Sequence, residues 1–316
     1  MAKGSKFVIW AALLGNAAIA ITKFAASIYT GSSAMLTEAI HSVVDTGNQG
    51  LLLWGLKRAK KPADSRFPFG HGREIYFWSF VVAIMIFGVG AGVSIFEGIK
   101  HLLHPRAITS PTVNYIVLGS AFLFEGAAWL IALKEFRHAK GEAGYVEAVQ
   151  KGKDPTLFVV LFEDSAAMAG LIVAFLGIYL GQLTGRMWLD GAASVIIGLI
   201  LASVALWLAW ETKGLLIGES ASDAVRDQVR SMVADHDGVE KVHELLTLQM
   251  GPESILVVVS MDFADRLDAT AVENTMAAMR DRIRREVAGV SRVFIQVEPV
   301  PAPARLPDNP AGTGSS

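Results

Sequence analysis

Three ionisable residues, Glu38, His41 and Asp45, fall inside one apolar stretch at positions i, i+3 and i+7. On a helix that spacing places them on a single face, which Asn48 and Gln49 extend. A second apolar run, Leu157 to Phe162, leads directly into Glu163 and Asp164. An ionisable side chain within a transmembrane segment costs at least about 2.5 kcal/mol on the insertion scale, so each asks for a task. One imidazole and two or three carboxylates from two helices make a four-coordinate oxygen and nitrogen site, suited to Zn²⁺ and also to Mn²⁺, Fe²⁺ or Co²⁺. His41 and Asp45 would supply two ligands from one helical turn, and Asp164 would close the site from the facing helix. The structural alternative is mutual pairing that glues helices together. Three such costly groups exceed what packing needs.

Other polar residues suggest plainer roles. Glu97 and Glu125 read as interhelical hydrogen-bond acceptors, and Lys23, near the end of its stretch, as a side chain that snorkels to the interface. His101 and His104, beside Pro105, read as solvated histidines of an outer loop.

The elements that must carry these groups follow from hydropathy. Hydrophobic residues make up 52% of 316 positions and the mean hydropathy is +0.43, more than one soluble core uses; the excess must face lipid. Stretches long enough to cross about 30 Å of hydrocarbon run from Val8 to Tyr29, Ala34 to Gly55, Phe77 to Ile99, Val113 to Leu133, Leu157 to Leu180 and Trp188 to Trp210. They predict a six-helix, all-α transmembrane bundle. The first stretch is too long for a signal-peptide core and reads as a retained helix, and Thr30-Gly31-Ser32-Ser33 is so short a link that the first two helices form an antiparallel hairpin. Lysine and arginine crowd alternate ends, as at Lys57, Arg58, Lys60, Lys61, Lys134, Arg137 and Lys213, against Lys100, Arg106 and Arg186 elsewhere, which puts both termini in the cytosol.

A formal net charge of -2 leaves no bulk cationic surface for nucleic acid. The absence of cysteine excludes disulfides and thiolate metal sites, and so disfavours Cu(I). After Gly218 the pattern changes. A charged amphipathic helix from Asp223 to His236, alternating strands at Val242 to Gln249 and Ile255 to Phe263 around Gly251-Pro252, a helix from Thr270 to Val287 and a strand from Arg292 to Glu298 give the order αββαβ, a ferredoxin-like α+β domain. The predicted domains are a transmembrane cation-transport unit at 1–215, a cytosolic dimerisation domain at 216–299 and a disordered Pro-, Gly-, Ala- and Ser-rich tail at 300–316.

The run Ser33-Ala34-Met35-Leu36-Thr37-Glu38-Ala39-Ile40-His41-Ser42-Val43-Val44-Asp45, followed by Phe69-Gly70-His71-Gly72-Arg73, resembles the cation diffusion facilitator family. Asp45-Thr46-Gly47-Asn48-Gln49-Gly50, and Asp154-Pro155 leading to Leu161-Phe162-Glu163-Asp164-Ser165-Ala166-Ala167, look like its zinc transporter 9-like branch. The resemblance implies a homodimeric metal–proton antiporter that exports Zn²⁺ or a related ion by alternating access and carries no prosthetic group. It also implies a transport site with two ligands from the second helix and two from the fifth, each pair four residues apart. His41, Asp45 and Asp164 match, but Val160 stands at the fourth position and cannot bind a metal. Glu163 points about 100° around the helix from Asp164; it, Glu38 or water are the substitutes. Among accessory positions Asp64 and His71 match ligands while Phe67 replaces one. In the cytosolic domain His243 and Glu298 remain, with Val258 and Gln296 in place of histidines, so dimerisation there is expected without a metal cluster.

In the mechanism this implies, deprotonated His41 with Asp45 and Asp164 takes up a cation on the cytosolic side, and protons displace it on the other. An imidazole, titrating near 6.5 when unperturbed, is the natural coupling group. The membrane expected is the bacterial inner membrane. Two rival readings are a non-transporting regulatory subunit of a heteromer, favoured by Val160, and an intramembrane metalloenzyme, opposed by the lack of His-Glu-x-x-His spacing or a nucleophile pair.

Overall fold

A computed structural model describes residues 3–141 and 144–298, which divide into two units, Met1–Ile217 and Gly218–Ser316. The tail expected at 300–316 lies outside the described residues.

The described part of the first unit is helical: α1 (Lys3–Thr30), α2 (Ser33–Ala59), α3 (Glu74–Met85), a π-helical segment (Ile86–Ala91), α4 (Gly92–Leu103), α5 (Pro111–Lys140), α6 (Tyr145–Lys151), α7 (Pro155–Thr184) and α8 (Trp188–Ile217). The hairpin between α1 and α2 follows from two residues. Gly31 takes φ +73°, a left-handed conformation that a side chain would strain. Ser32 then caps α2, its Oγ accepting from the Met35 N–H at 3.1 Å. Asp154 does the same for α7 through Thr156 N–H at 3.0 Å, with Pro155 at the first helical position, where its missing donor costs nothing.

Among the described residues four spans, Glu74–Leu103, Pro111–His138, Pro155–Thr184 and Trp188–Ile217, are long and apolar enough to cross a membrane. α1 and α2, of 28 and 27 residues, are comparably long but are not among these four spans; α2 is diluted by the ionisable face read from the sequence. α5 turns Leu123, Phe124, Leu130 and Ile131 outward, an apolar surface that suits hydrocarbon. Small residues let the backbones close up. A Cβ on Gly98 would meet Val195 N at 2.7 Å, and one on Gly198 would meet Ile95 N at 3.0 Å, so α4 and α8 touch at glycine, as packed membrane helices do. Neither the π-helical segment nor the short α6 was expected from periodicity.

The second unit runs α9 (Asp223–Ala234), β1 (Val239–Gly251), β2 (Ser254–Phe263), α10 (Ala269–Glu286), β3 (Val290–Val297), the order αββαβ. β1 and β2 form an antiparallel hairpin, and β2 pairs in parallel with β3, giving a mixed sheet in the order β1-β2-β3. A ferredoxin-like plan would set another strand between the two strands joined by α10; here they hydrogen-bond directly. Ile255, Val257, Val259, Met261 and Phe263 alternate inward along β2 against Val229 and Val233 of α9 and Met279 and Ile283 of α10, the core of this unit.

Candidate metal centre

α2 carries its ionisable face inward. His41 is 1% exposed, and Glu38 is fully buried. The His41 Nδ1 lies 3.4 Å from Asp45 Oδ1 without hydrogen-bond alignment, and neither ring nitrogen nor that oxygen has a hydrogen-bond partner. Buried polar atoms are nearly always satisfied, so three orphans within one turn of α2 make this stretch a candidate site. On α7, Glu163 is buried and accepts from Asn48 Nδ2 at 2.6 Å. Asp164, one residue on, faces a cavity of about 30 Å³ lined by Asn16, Ser42, Asp45, Gln49, Glu125 and Asp164, room for one or two water-sized guests. Asn16 Nδ2 donates to Gln49 Oε1 at 3.1 Å along one wall.

The structure therefore brings Asp45 and Asp164 to one cavity and sets His41 against Asp45, but it turns Glu163 toward Asn48 and Glu38 elsewhere. Among the described residues no three His, Asp or Glu side chains are arranged to enclose an ion as they stand.

Lys23 does not snorkel. It is fully buried, and its ammonium donates to Glu38 Oε2 at 3.1 Å, Ser42 Oγ at 2.9 Å and Glu125 Oε1 at 2.8 Å, tying α1 to α2 and α5. Its three donors are all used, which is the arrangement a buried ammonium requires. Glu38 is thereby committed to a lysine, and Gly170 of α7 leaves the space that its other oxygen occupies.

His101 is not a solvated loop residue either. It is 7% exposed, with Nδ1 3.1 Å from Asp190 Oδ2, and its Nε2 accepts from the Arg106 N–H at 3.2 Å. Asp190, which sequence reasoning passed over, is 2% exposed and accepts from Ser32 Oγ at 2.6 Å and from the Ser33 and Ala34 N–H groups at 2.5 and 3.4 Å. It ties the start of α8 to the start of α2 and the end of α4. The Ser-Ser preceding an apolar run was the one available signal, since free N–H groups at a helix start attract a carboxylate. His104 is exposed, as expected.

Asp64 and His71 meet in the loop after α2, Oδ2 to Nε2 at 3.0 Å, with His71 Nδ1 3.8 Å from Glu74. The His71 hydrogen bond holds the Asp64 carboxyl below the usual carboxylate range, helped by the Phe67 and Arg66 N–H groups. Phe67 packs on the His71 ring at 4.6 Å between centroids. In the second unit His243 donates its ring N–H to the Glu298 backbone carbonyl at 2.9 Å, and Gln296 donates to the Glu298 carboxylate at 2.7 Å.

Residues 9–217 match the family of the cation efflux transmembrane domain, and residues 221–300 that of the cation efflux protein cytoplasmic domain. The human mitochondrial proton-coupled zinc antiporter SLC30A9 is 33% identical over 268 residues, which cover 84% of this chain and 47% of that protein. Metal tolerance protein C4 of Arabidopsis thaliana is 29% identical over 82% of this chain and 57% of its own length. The chain thus spans about half the length of these relatives. The cation-efflux pump FieF of Escherichia coli is 26% identical over 91% of this chain and 93% of its own.

Proposed function

From the membership of this chain in the cation diffusion facilitator family, in its zinc transporter 9-like branch, we propose that it is a proton-coupled exporter of a divalent cation, with zinc as cargo. The observation that carries this reading is the small cavity between α2 and α7 faced by Asp45 and Asp164, beside an imidazole with two unpartnered nitrogens. Carboxylates and imidazole bind Zn²⁺, and Mn²⁺, Fe²⁺ and Co²⁺ as well; relatives named zinc antiporter and cation-efflux pump favour zinc and outward movement.

The two carboxyl groups that line one small cavity, Asp45 and Asp164, support the coupling. Two carboxylates enclosed together are costly when both are charged, so a proton or a cation is favoured there. A proton there and a cation at Asp45 compete for the same lone pair, as metal and proton do at any ligand. In this reading His41 and Asp45 take the ion with Asp164 from the cytosolic side, and protons entering from the opposite side displace it. Alternation between the two openings needs the ends of α2, α4 and α8 to part where Asp190 now joins them.

The proposed setting is six membrane-crossing helices with both termini in the cytosol, in a bacterial inner membrane; the near-complete overlap with the bacterial pump supports that membrane. The second unit acts as the dimerisation domain of a homodimer. A non-transporting regulatory subunit is the second reading, favoured by Val160 in a ligand position.

Uptake of Zn²⁺, Mn²⁺, Fe²⁺ and Co²⁺ into proteoliposomes under an imposed pH gradient tests both. Gradient-dependent uptake that Asp45→Ala and Asp164→Ala abolish is the expected result. A wild type that binds metal and moves none would make the regulatory subunit the correct account.

A further inference from the structure

The proposed site is one ligand short on α7, because Val160, one turn before Asp164 on the same face, offers only methyl groups. Of the carboxylates around it, Glu163 is turned to Asn48 and does not line the cavity, and Glu38 is bound to Lys23 beside Gly170. One carboxylate that does line the cavity comes from neither α2 nor α7. Glu125 of α5 shares its wall with Asp45 and Asp164. Its Oε1 accepts from Lys23, and its Oε2 is buried without a hydrogen-bond partner.

The register that brings Glu125 there is fixed. Trp129, one turn further along α5, donates its indole N–H to Ser165 Oγ at 2.9 Å, next to Asp164. Gly126 packs close to Met168 of α7; a Cβ on it would lie 3.6 Å from the Met168 methyl. These contacts pin the α5 face bearing Glu125 against the α7 turn bearing Asp164. His41, 1% exposed, holds its unpartnered Nδ1 3.4 Å from Asp45 Oδ1.

We infer that Glu125 is the carboxylate that completes the cation site in place of Val160, so that this chain draws its ligands from three helices, with Lys23 as the positioning residue that holds Glu125 at the cavity wall. The ammonium occupies one carboxylate oxygen and leaves the other for the ion. A monodentate carboxylate is enough for a Zn²⁺ or Co²⁺ ligand. The assignment rests on the reading of this cavity as the cation site.

The test is Zn²⁺ titration calorimetry of the full chain in detergent, with the visible absorption of bound Co²⁺ as a report on coordination. Glu125→Gln keeps an acceptor for Lys23 and is expected to weaken Zn²⁺ binding at least about tenfold and to alter the Co²⁺ spectrum. Adding Val160→Asp in the Glu125→Gln background is expected to restore binding, which a merely structural Glu125 would not allow. Wild-type affinity in Glu125→Gln, or weakened binding that Val160→Asp leaves unrepaired, overturns the assignment while loss of binding in Asp45→Asn keeps the site itself. If Asp45→Asn and Asp164→Asn both bind like wild type, the cation site lies elsewhere and the assignment falls with it.

Discussion

Two carboxylates along α2 are treated in opposite ways. At its start, Asp190 of α8 accepts from one hydroxyl and two backbone N–H groups and faces the His101 imidazole, so both oxygens are occupied. About 18 Å further along the same helix, Asp45 leaves Oδ1 without a partner although an imidazole stands 3.4 Å away. A satisfied buried carboxylate holds helices together; an unsatisfied one among other unsatisfied groups is what the proposed cation site would use.

Lys23 is the joint on which the largest stability effect is expected. Lys23→Met removes the one cation shared by Glu38 and Glu125 and leaves two carboxylates in the interior, for which breaking a buried pair predicts a loss of about 3–5 kcal/mol. Denaturant unfolding in detergent micelles reads it, and Lys23→Met with Glu38→Gln should recover part. A variant as stable as wild type would show that Lys23 reaches solvent after all. Asp190→Ala comes next. It strands the Ser32 hydroxyl and the Ser33 N–H together, and a buried unsatisfied group costs about 1–3 kcal/mol. Asp45→Asn should instead leave stability within about 1 kcal/mol of wild type while abolishing gradient-driven uptake in vesicles. Should it unfold the protein as readily as Asp190→Ala, the division between joint and site fails.

Much of this was legible in the sequence, for reasons that also explain what was not. The face of α2 showed in the i, i+3, i+7 spacing because a helix fixes which residues share a side. The strands showed because Ile255 to Phe263 alternate and are bounded by a turn. Lys23 misled because hydropathy gives depth along a helix and not the direction a side chain takes, and a lysine at that depth can reach either water or two acids on neighbouring helices. His101 misled because the loop signal of Pro105 says nothing about a carboxylate some ninety residues later in the chain. Glu125 read as a packing acceptor, which it is through Oε1; that its second oxygen is buried without a partner shows only in the structure. Such long-range pairings depend on helix register, which here rests on glycines at α4 and α8 and on Trp129 at α5, and no local pattern encodes them.

A third carboxylate, at the surface, sharpens the contrast with the smallest effect. Asp64 is engaged by His71 and by the Arg66 and Phe67 N–H groups at 2.9 and 2.7 Å, and these hydrogen bonds hold its carboxyl below the ordinary range. A carboxyl depressed in the folded state stabilises the fold above its unfolded value of about 3.9, and that contribution fades as pH falls through the lower folded value. Because the group is exposed, water screens most of it. His71→Ala should move the Asp64 titration, followed by the carboxyl ¹³C shift, up toward the ordinary value, since the imidazole is the largest cause of the depression. A midpoint that stays put would assign the depression to the two backbone donors, making Asp64 a turn-forming residue like Asp190 in kind, with His71 left as a separate group on the same loop.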